Sequence, residues 1–120
     1  MDINSMIEQV KKHPHYSRVG MILCHNGVVR GHSRNGRSVS GLEVSVDHDK
    51  LQQILETQKA KPGIVEILVQ IAENKNLSVG DDVMLLLVAG DIRENVIRVL
   101  HDILNLIKTT VTEKTEFFIE

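Results

Sequence analysis

The sequence predicts one small α+β domain over residues 1–120, with a mixed or antiparallel sheet and about three helices. Helical and strand-like segments follow one another as helix, strand, loop, strand, helix, strand, strand, helix, strand, without a repeated βαβ unit. The run Val83–Val88 is apolar throughout, which is typical of a central strand covered on both faces. Apolar residues from Ile92 to Val111 recur at helical spacing and predict a long helix with one buried stripe.

The N-terminal third is predicted to form a helix, a strand and a loop. Apolar residues recur at helical spacing over residues 3–10, and Pro14 ends this helix because proline disfavours helical conformation in the residue before it. Residues 19–24 predict a strand, which is expected to resume after the turn signal Asn26-Gly27. The segment Gly31–Gly41 is rich in glycine, serine and arginine and predicts a basic, flexible loop without core residues.

The rest of the chain alternates strands and helices. Residues 42–46 alternate apolar and polar side chains and predict a half-buried strand, after which Asp47 or Asp49 can cap a helix. A further strand is expected over Ile64–Ile71, followed by a polar turn. Asp91-Ile92-Arg93-Glu94 has the spacing of a capping box that opens the long helix. The last apolar residues, 117–119, predict a short final strand.

Composition excludes several classes of function. Hydrophobic residues make up 42% of the chain but include no Trp, one Tyr and two Phe, too few aromatics for a base-stacking platform. A net charge of −2 gives no general attraction to nucleic acid or to anionic membranes, so any anion site must be local. No apolar run approaches the roughly 20 residues that span a bilayer. The N-terminus lacks a signal-peptide pattern, so a cytoplasmic protein is expected.

The thiol and imidazole side chains predict neither a metal site nor a cofactor. Cys24 is the only cysteine, which rules out an intramolecular disulfide and a thiolate-rich metal site, and its apolar surroundings favour a buried, inert thiol. The six histidines fit no standard zinc spacing, and Pro14 separates His13 and His15 irregularly.

Two segments resemble the large, catalytic subunit of molybdopterin synthase. The segment Gly80–Lys108 (GDDVMLLLVAGDIRENVIRVLHDILNLIK) is similar to that family's turn, apolar strand, small-residue turn and long helix. Arg93 falls on the arginine of the family's His-Arg pair, and Lys108 falls on the lysine that ends the helix. The segment Asn26–Val44 resembles the family's Gly-x-Val-Arg motif, polar loop and Leu-Glu strand, with Arg30 on the motif's arginine.

The resemblance implies an α+β fold of the molybdopterin synthase large-subunit type and a role in molybdenum cofactor biosynthesis. The implied reaction is sulfur transfer to a cyclic pyranopterin monophosphate. The implied sulfur donor is a thiocarboxylate at the C-terminus of a small ubiquitin-like partner subunit, and the implied assembly is a homodimer. No nucleic acid and no membrane is expected as a partner.

The chain departs from the family pattern at several positions. Ile92 replaces the histidine of the His-Arg pair, and Ala72-Glu73 replaces a second His-Arg pair. The family's Pro-x-Trp-Lys segment is absent, so its second lysine falls on Thr115, with Lys114 one position early. These differences leave open whether the chain is an active transferase. The alternatives are a non-catalytic relative that keeps the fold as a binding or assembly protein, and an unrelated α+β interaction domain.

The candidate site residues follow from the resemblance and from the chemistry it implies. A lysine can shuttle protons or hold a covalent intermediate, so Lys108 and Lys114 are the candidate catalytic residues. Guanidinium groups suit phosphate binding, and the candidate substrate-binding residues are Arg30, His32, Arg34, Arg37 and Arg93.

Each candidate residue also has a purely structural interpretation. Lys108 can complement the dipole at a helix C-terminus, and the basic residues of the Gly31–Gly41 segment can belong to a solvated, mobile loop. Arg93 can be a surface residue beside Glu94. We predict instead that Arg30 and Arg93 converge on one anion site, although they lie 63 positions apart.

Overall fold

The computed structural model describes residues 2–119 as nine regular elements and two short helical turns. The helices are α1 (Ile3–Lys11), α2 (His48–Lys59) and α3 (Arg93–Leu106), and the strands are β1 (Met21–Val28), β2 (Val39–Val46), β3 (Ile64–Ile71), β4 (Leu77–Ser78), β5 (Asp82–Gly90) and β6 (Thr112–Phe118). A 3₁₀ turn covers Tyr16–Arg18, and a π-helical turn, Ile107–Val111, joins α3 to β6. Within residues 2–119 no helix is long and apolar enough to cross a membrane.

The strands form two three-stranded sheets, and every pairing is antiparallel. One sheet has the order β1-β5-β3 and the other has the order β4-β2-β6. The prediction of an α+β domain with a mixed or antiparallel sheet and about three helices is therefore confirmed.

Strand β5 is the central strand of the first sheet and is covered on both faces, as its apolar run predicts. Met84, Leu86 and Val88 point to one face and pack in the main core with residues of α3. Leu85 and Leu87 point to the other face and pack against α1. Since side chains alternate along a strand, a strand buried on both faces needs the continuous apolar run seen here.

The segment predicted as a loop is more ordered than expected. Strand β2 begins inside it, at Val39, whose side chain is buried. His32 and Ser38 form an isolated antiparallel bridge, and the Ser33 hydroxyl accepts a hydrogen bond from the Arg37 amide at 3.2 Å. These contacts fold residues 31–39 into a compact, hairpin-like segment.

Four local predictions are wrong. Strand β1 runs straight through Asn26-Gly27, because both residues have cross-strand partners on β5, and only a bulge follows Gly27. The capping box does not form, because Asp91 instead accepts hydrogen bonds from the Ile92 amide (2.6 Å) and the Asn95 side chain (2.9 Å). Ile92 is consequently the N-cap of α3 and is 53% exposed rather than part of the buried stripe. Cys24 is exposed on β1 rather than buried.

Candidate functional site

A pocket of about 280 Å³ lies between the two sheets, where α3 ends. We call it the Lys108 pocket. Its cationic side chains come from three separate segments, and its walls are mostly apolar. The lining residues are Arg34, Leu42, Val44, Ile71, Val83, Met84, Ile107, Lys108, Thr112 and Lys114.

The π-helical turn after α3 places Lys108 at this pocket. Ile107 and Val111 are buried in the main core and anchor the two ends of the turn. Within the turn, the Thr109 hydroxyl donates to the Asn105 carbonyl at 2.8 Å and the Thr110 hydroxyl donates to the Leu106 carbonyl at 2.6 Å. These bonds add side-chain partners to carbonyl groups at the C-terminal end of α3. Lys108 is therefore an exposed side chain on an anchored backbone.

The pairing of β2 with β6 determines which of two neighbouring positions faces the pocket. Lys114 lies directly opposite Val44, a pocket residue, and lines the pocket with it. Thr115 lies opposite Glu43, which is exposed, so its side chain points to the other face of the sheet. Counting along the family motif put the second lysine position at Thr115, but the structure brings Lys114 together with Lys108.

Arg30 and His32 line a smaller pocket, of about 70 Å³, beside the Lys108 pocket. The two pockets share Leu42 and Lys114, so they form neighbouring parts of one surface. Arg34 reaches into the Lys108 pocket itself. Five of the seven predicted site residues are thus gathered on one side of the molecule.

Arg37 is directed elsewhere. Its guanidinium carbon lies 3.7 Å from the centroid of the Phe118 ring, in a cation–π contact with the end of β6. This contact fastens the basic segment 31–39 to β6, so Arg37 holds in place the segment that carries His32 and Arg34.

Arg93 lies at the far end of α3 from Lys108. Fifteen residues separate them, which corresponds to about 20 Å along a helix. In the pairing of β1 with β5, Val28 lies opposite Asp82 and Met21 lies opposite Gly90. Arg30 follows the first of these ends and Arg93 follows the second, so the two arginines stand at opposite ends of the sheet. The prediction that they converge on one anion site is wrong within a single chain.

The Lys108 pocket is locally positive although the chain as a whole carries a net charge of −2. Arg34, Lys108 and Lys114 line it, and Glu116, in the smaller pocket, lies 3.9 Å from the Lys114 ammonium. Cations over apolar walls suit a ligand that combines a ring with an anionic group. Sequence reasoning missed the apolar walls, because no polar motif distinguishes these strand residues from other core positions.

Comparison with known families and comparison with solved structures point to the same family. The chain belongs to the MoaE protein family, the molybdopterin synthase large subunit, because the family model for "MoaE protein" matches residues 1–110. No sequence among the curated proteins matches it.

Several solved structures share the fold, and three of them illustrate the similarity. The molybdopterin synthase structure from Staphylococcus aureus has a TM-score of 0.81 at 21% identity, covering 100% of this chain and 87% of that one. Molybdopterin cofactor biosynthesis protein E from Burkholderia multivorans has a TM-score of 0.76 at 19% identity, covering 99% and 84%. A complex of subunits 1 and 2 of molybdopterin-converting factor from Helicobacter pylori has a TM-score of 0.71 at 15% identity, covering 100% and 85%. The family resemblance found in the sequence is confirmed.

Proposed function

We propose that the chain is the catalytic large subunit of a molybdopterin synthase. It transfers sulfur from the thiocarboxylate of a small ubiquitin-like subunit to a cyclic pyranopterin monophosphate. The observation that carries this proposal is the meeting of Lys108, Lys114 and Arg34 in one apolar-walled pocket, in a chain of the MoaE family. The test is reconstitution of the chain with its thiocarboxylated partner and the pterin substrate, where we expect molybdopterin as the product.

Each group in the pocket has a chemical task in this reaction. The apolar walls accommodate the pterin rings, and Arg34, with Arg30 and His32 in the adjoining pocket, binds the phosphate. Lys108 and Lys114 neutralise negative charge that develops as sulfur attacks, and an unprotonated lysine amine can accept a proton. Arg37 serves the site indirectly, through its contact with Phe118.

The small ubiquitin-like subunit is the partner we infer for this pocket. A flexible C-terminal tail can enter a pocket between two sheets without displacing either sheet. The structure of subunits 1 and 2 of molybdopterin-converting factor from Helicobacter pylori, which shares this fold, is a complex of two different subunits and supports a paired assembly here.

We predict that the chain forms a homodimer. Apolar side chains remain exposed at separate places, among them Val28 (47%), Ile92 (53%) and Ile97 (49%), and an interface would cover such surface. Light scattering at micromolar concentration should give a mass twice the 13.5 kDa of one chain. A mass of one chain under these conditions would contradict the prediction.

Arg93 takes part in the reaction only if a second protomer supplies it, because it lies about 20 Å along α3 from Lys108. We predict that Arg93→Ala mainly weakens substrate binding, raising KM, because phosphate contacts act in the ground state as well as the transition state. At limiting substrate, mixing equal amounts of Arg93→Ala and Lys108→Ala should restore about one quarter of the unmutated rate. Random subunit exchange makes half of the dimers mixed, and each mixed dimer contains one intact site out of two.

Each variant alone is the control for this mixing experiment. If subunits exchange, as mass spectrometry of differently tagged chains can verify, and the mixture is no more active than the average of the two variants, Arg93 has no role across a dimer.

A second candidate function is a non-catalytic relative that keeps the fold. The observation that favours it is Ile92, a 53% exposed apolar residue where the family pattern has a histidine. The test is an assay under conditions in which a relative with the complete pattern forms product readily. If this chain forms no product there, the non-catalytic function replaces the synthase proposal.

A further inference from the structure

His25 lies on the face of β1 that is covered by α3. It stands directly across from Leu86 on β5, and Leu86 belongs to the main core together with α3 residues. Leu23, two positions earlier on the same face, borders that core as well. His25 is therefore a half-buried imidazole in the layer between the first sheet and α3, rather than one of the exposed histidines of the surface.

The ring of His25 extends along the strand towards the Lys108 pocket. A Cβ atom built on Gly27 would lie 3.3 Å from Nε2 of His25, so the ring covers the space that this glycine leaves open. Gly27 pairs with Met84, which lines the Lys108 pocket. Nε2 thus points to the end of the sheet at which the Lys108 pocket begins.

Lys108 approaches the same place from the helix. Leu104, in the last turn of α3, lies four residues earlier and borders the main core as Leu23 does. Ile107 is buried against that core, which fixes the backbone beside Lys108. Lys108 and His25 therefore occupy the same end of the layer between α3 and β1.

Burial and the charges around the His25 ring both oppose its protonation. Burial, together with the positive charge of Lys108, lowers the pKa of His25. The neighbours on β5 are apolar, and the other pocket charges, Arg34 from the basic segment and Lys114 from β6, are positive too. On α3, His101 lies about two turns before Lys108 and its side chain is 73% exposed. A neutral imidazole has one ring nitrogen free to accept a hydrogen bond.

We propose that His25 is a positioning residue for Lys108: its neutral ring accepts a hydrogen bond from the Lys108 ammonium and directs the lysine into the pocket. Only the expected effect of this pairing on activity rests on the proposed function. The pairing of the two side chains is a property of the free protein. Protonation of the ring in acid removes the acceptor and places a second positive charge beside the lysine, so acid should switch Lys108 out of position.

The pairing is tested by NMR titration of the histidine ring protons in the full chain without substrate. The His25 signal is assigned by its loss in His25→Gln. In Lys108→Gln the pKa of His25 should rise, because a neighbouring positive charge is removed. Lys50→Gln, a change of an exposed lysine on α2, should leave it unaltered. An unchanged His25 pKa in Lys108→Gln would overturn the inference, whether or not the protein is a synthase.

The effect on activity is tested by the pH profile of kcat. The kcat of the unmodified protein should fall in acid, with its midpoint at the pH where His25 titrates. The glutamine of His25→Gln stays neutral, so the kcat of this variant should not show that fall. His25→Phe, which fills the space without an acceptor, should lower kcat at every pH. Equal profiles for the unmodified protein and His25→Gln, with intact folding by circular dichroism, would show that the ring does not act through Lys108.

Discussion

Lys108→Ala should abolish sulfur transfer from the thiocarboxylated partner while the protein remains folded. The side chain is exposed, and within residues 2–119 it forms no ion pair, so its loss removes little packing. General acid–base groups contribute about 10²- to 10⁴-fold to a rate, and we expect the rate constant of sulfur transfer to fall by that range. The measurement is single-turnover formation of molybdopterin from the cyclic pterin substrate.

Two further lysine variants sharpen this test. Lys114 lines the same pocket, so Lys114→Ala should lower the rate as well, whereas Lys50→Ala, on the exposed side of α2, should leave it unchanged. Full activity in Lys108→Ala would remove the lysine from the mechanism, and a loss of similar size in Lys50→Ala would show that the assay reports general damage.

Ile103→Ala should lower the free energy of unfolding by about 2–5 kcal/mol, the usual cost of truncating a fully buried aliphatic side chain. Ile103 is 0% exposed in the main core, where it packs in one cluster with Leu86 and Val88 of the central strand. The loss combines the transfer of apolar surface with the cavity left behind. Urea denaturation followed by circular dichroism measures it.

Ile97→Ala is the matched control, because it makes the same change on the same helix. Ile97 is 49% exposed, so less apolar contact is lost, and alanine favours the helix. We expect a change of about 1 kcal/mol or less. If both variants lose the same stability in a monomeric sample, burial in the main core does not account for the stability of α3.

The elements with long periodic patterns could be predicted from the sequence. The apolar run of β5 and the apolar stripe of α3 each consist of many buried residues. One atypical residue therefore does not obscure either pattern. Asn26-Gly27 shows the limit of short signals. The dipeptide favours a turn locally, but two cross-strand neighbours on β5 hold it extended. Asp91 failed as a cap for a similar reason, since Asn95 and the Ile92 amide already bind its carboxylate.

The candidate site was predictable where a residue and its backbone element coincide with a family motif. Lys108 and Arg30 were predicted on that basis, and they line two adjoining pockets on the same surface. Lys114 required the register of β6, which depends on a tertiary pairing and not on local sequence. Arg93 lies on the expected element, but sequence alone does not show that α3 separates the two ends of the molecule.

The π-helical turn between α3 and β6 also limits how this chain can vary in length. β6 starts immediately after the turn, and its side chains alternate between the two faces of the sheet. Insertion or deletion of one residue here would move every side chain of β6 to the opposite face of the sheet. Lys114 would then point outwards and Thr115 into the pocket. A change of two residues would keep the faces. Natural variants of this junction should therefore differ by even numbers of residues, unless a bulge absorbs the odd one.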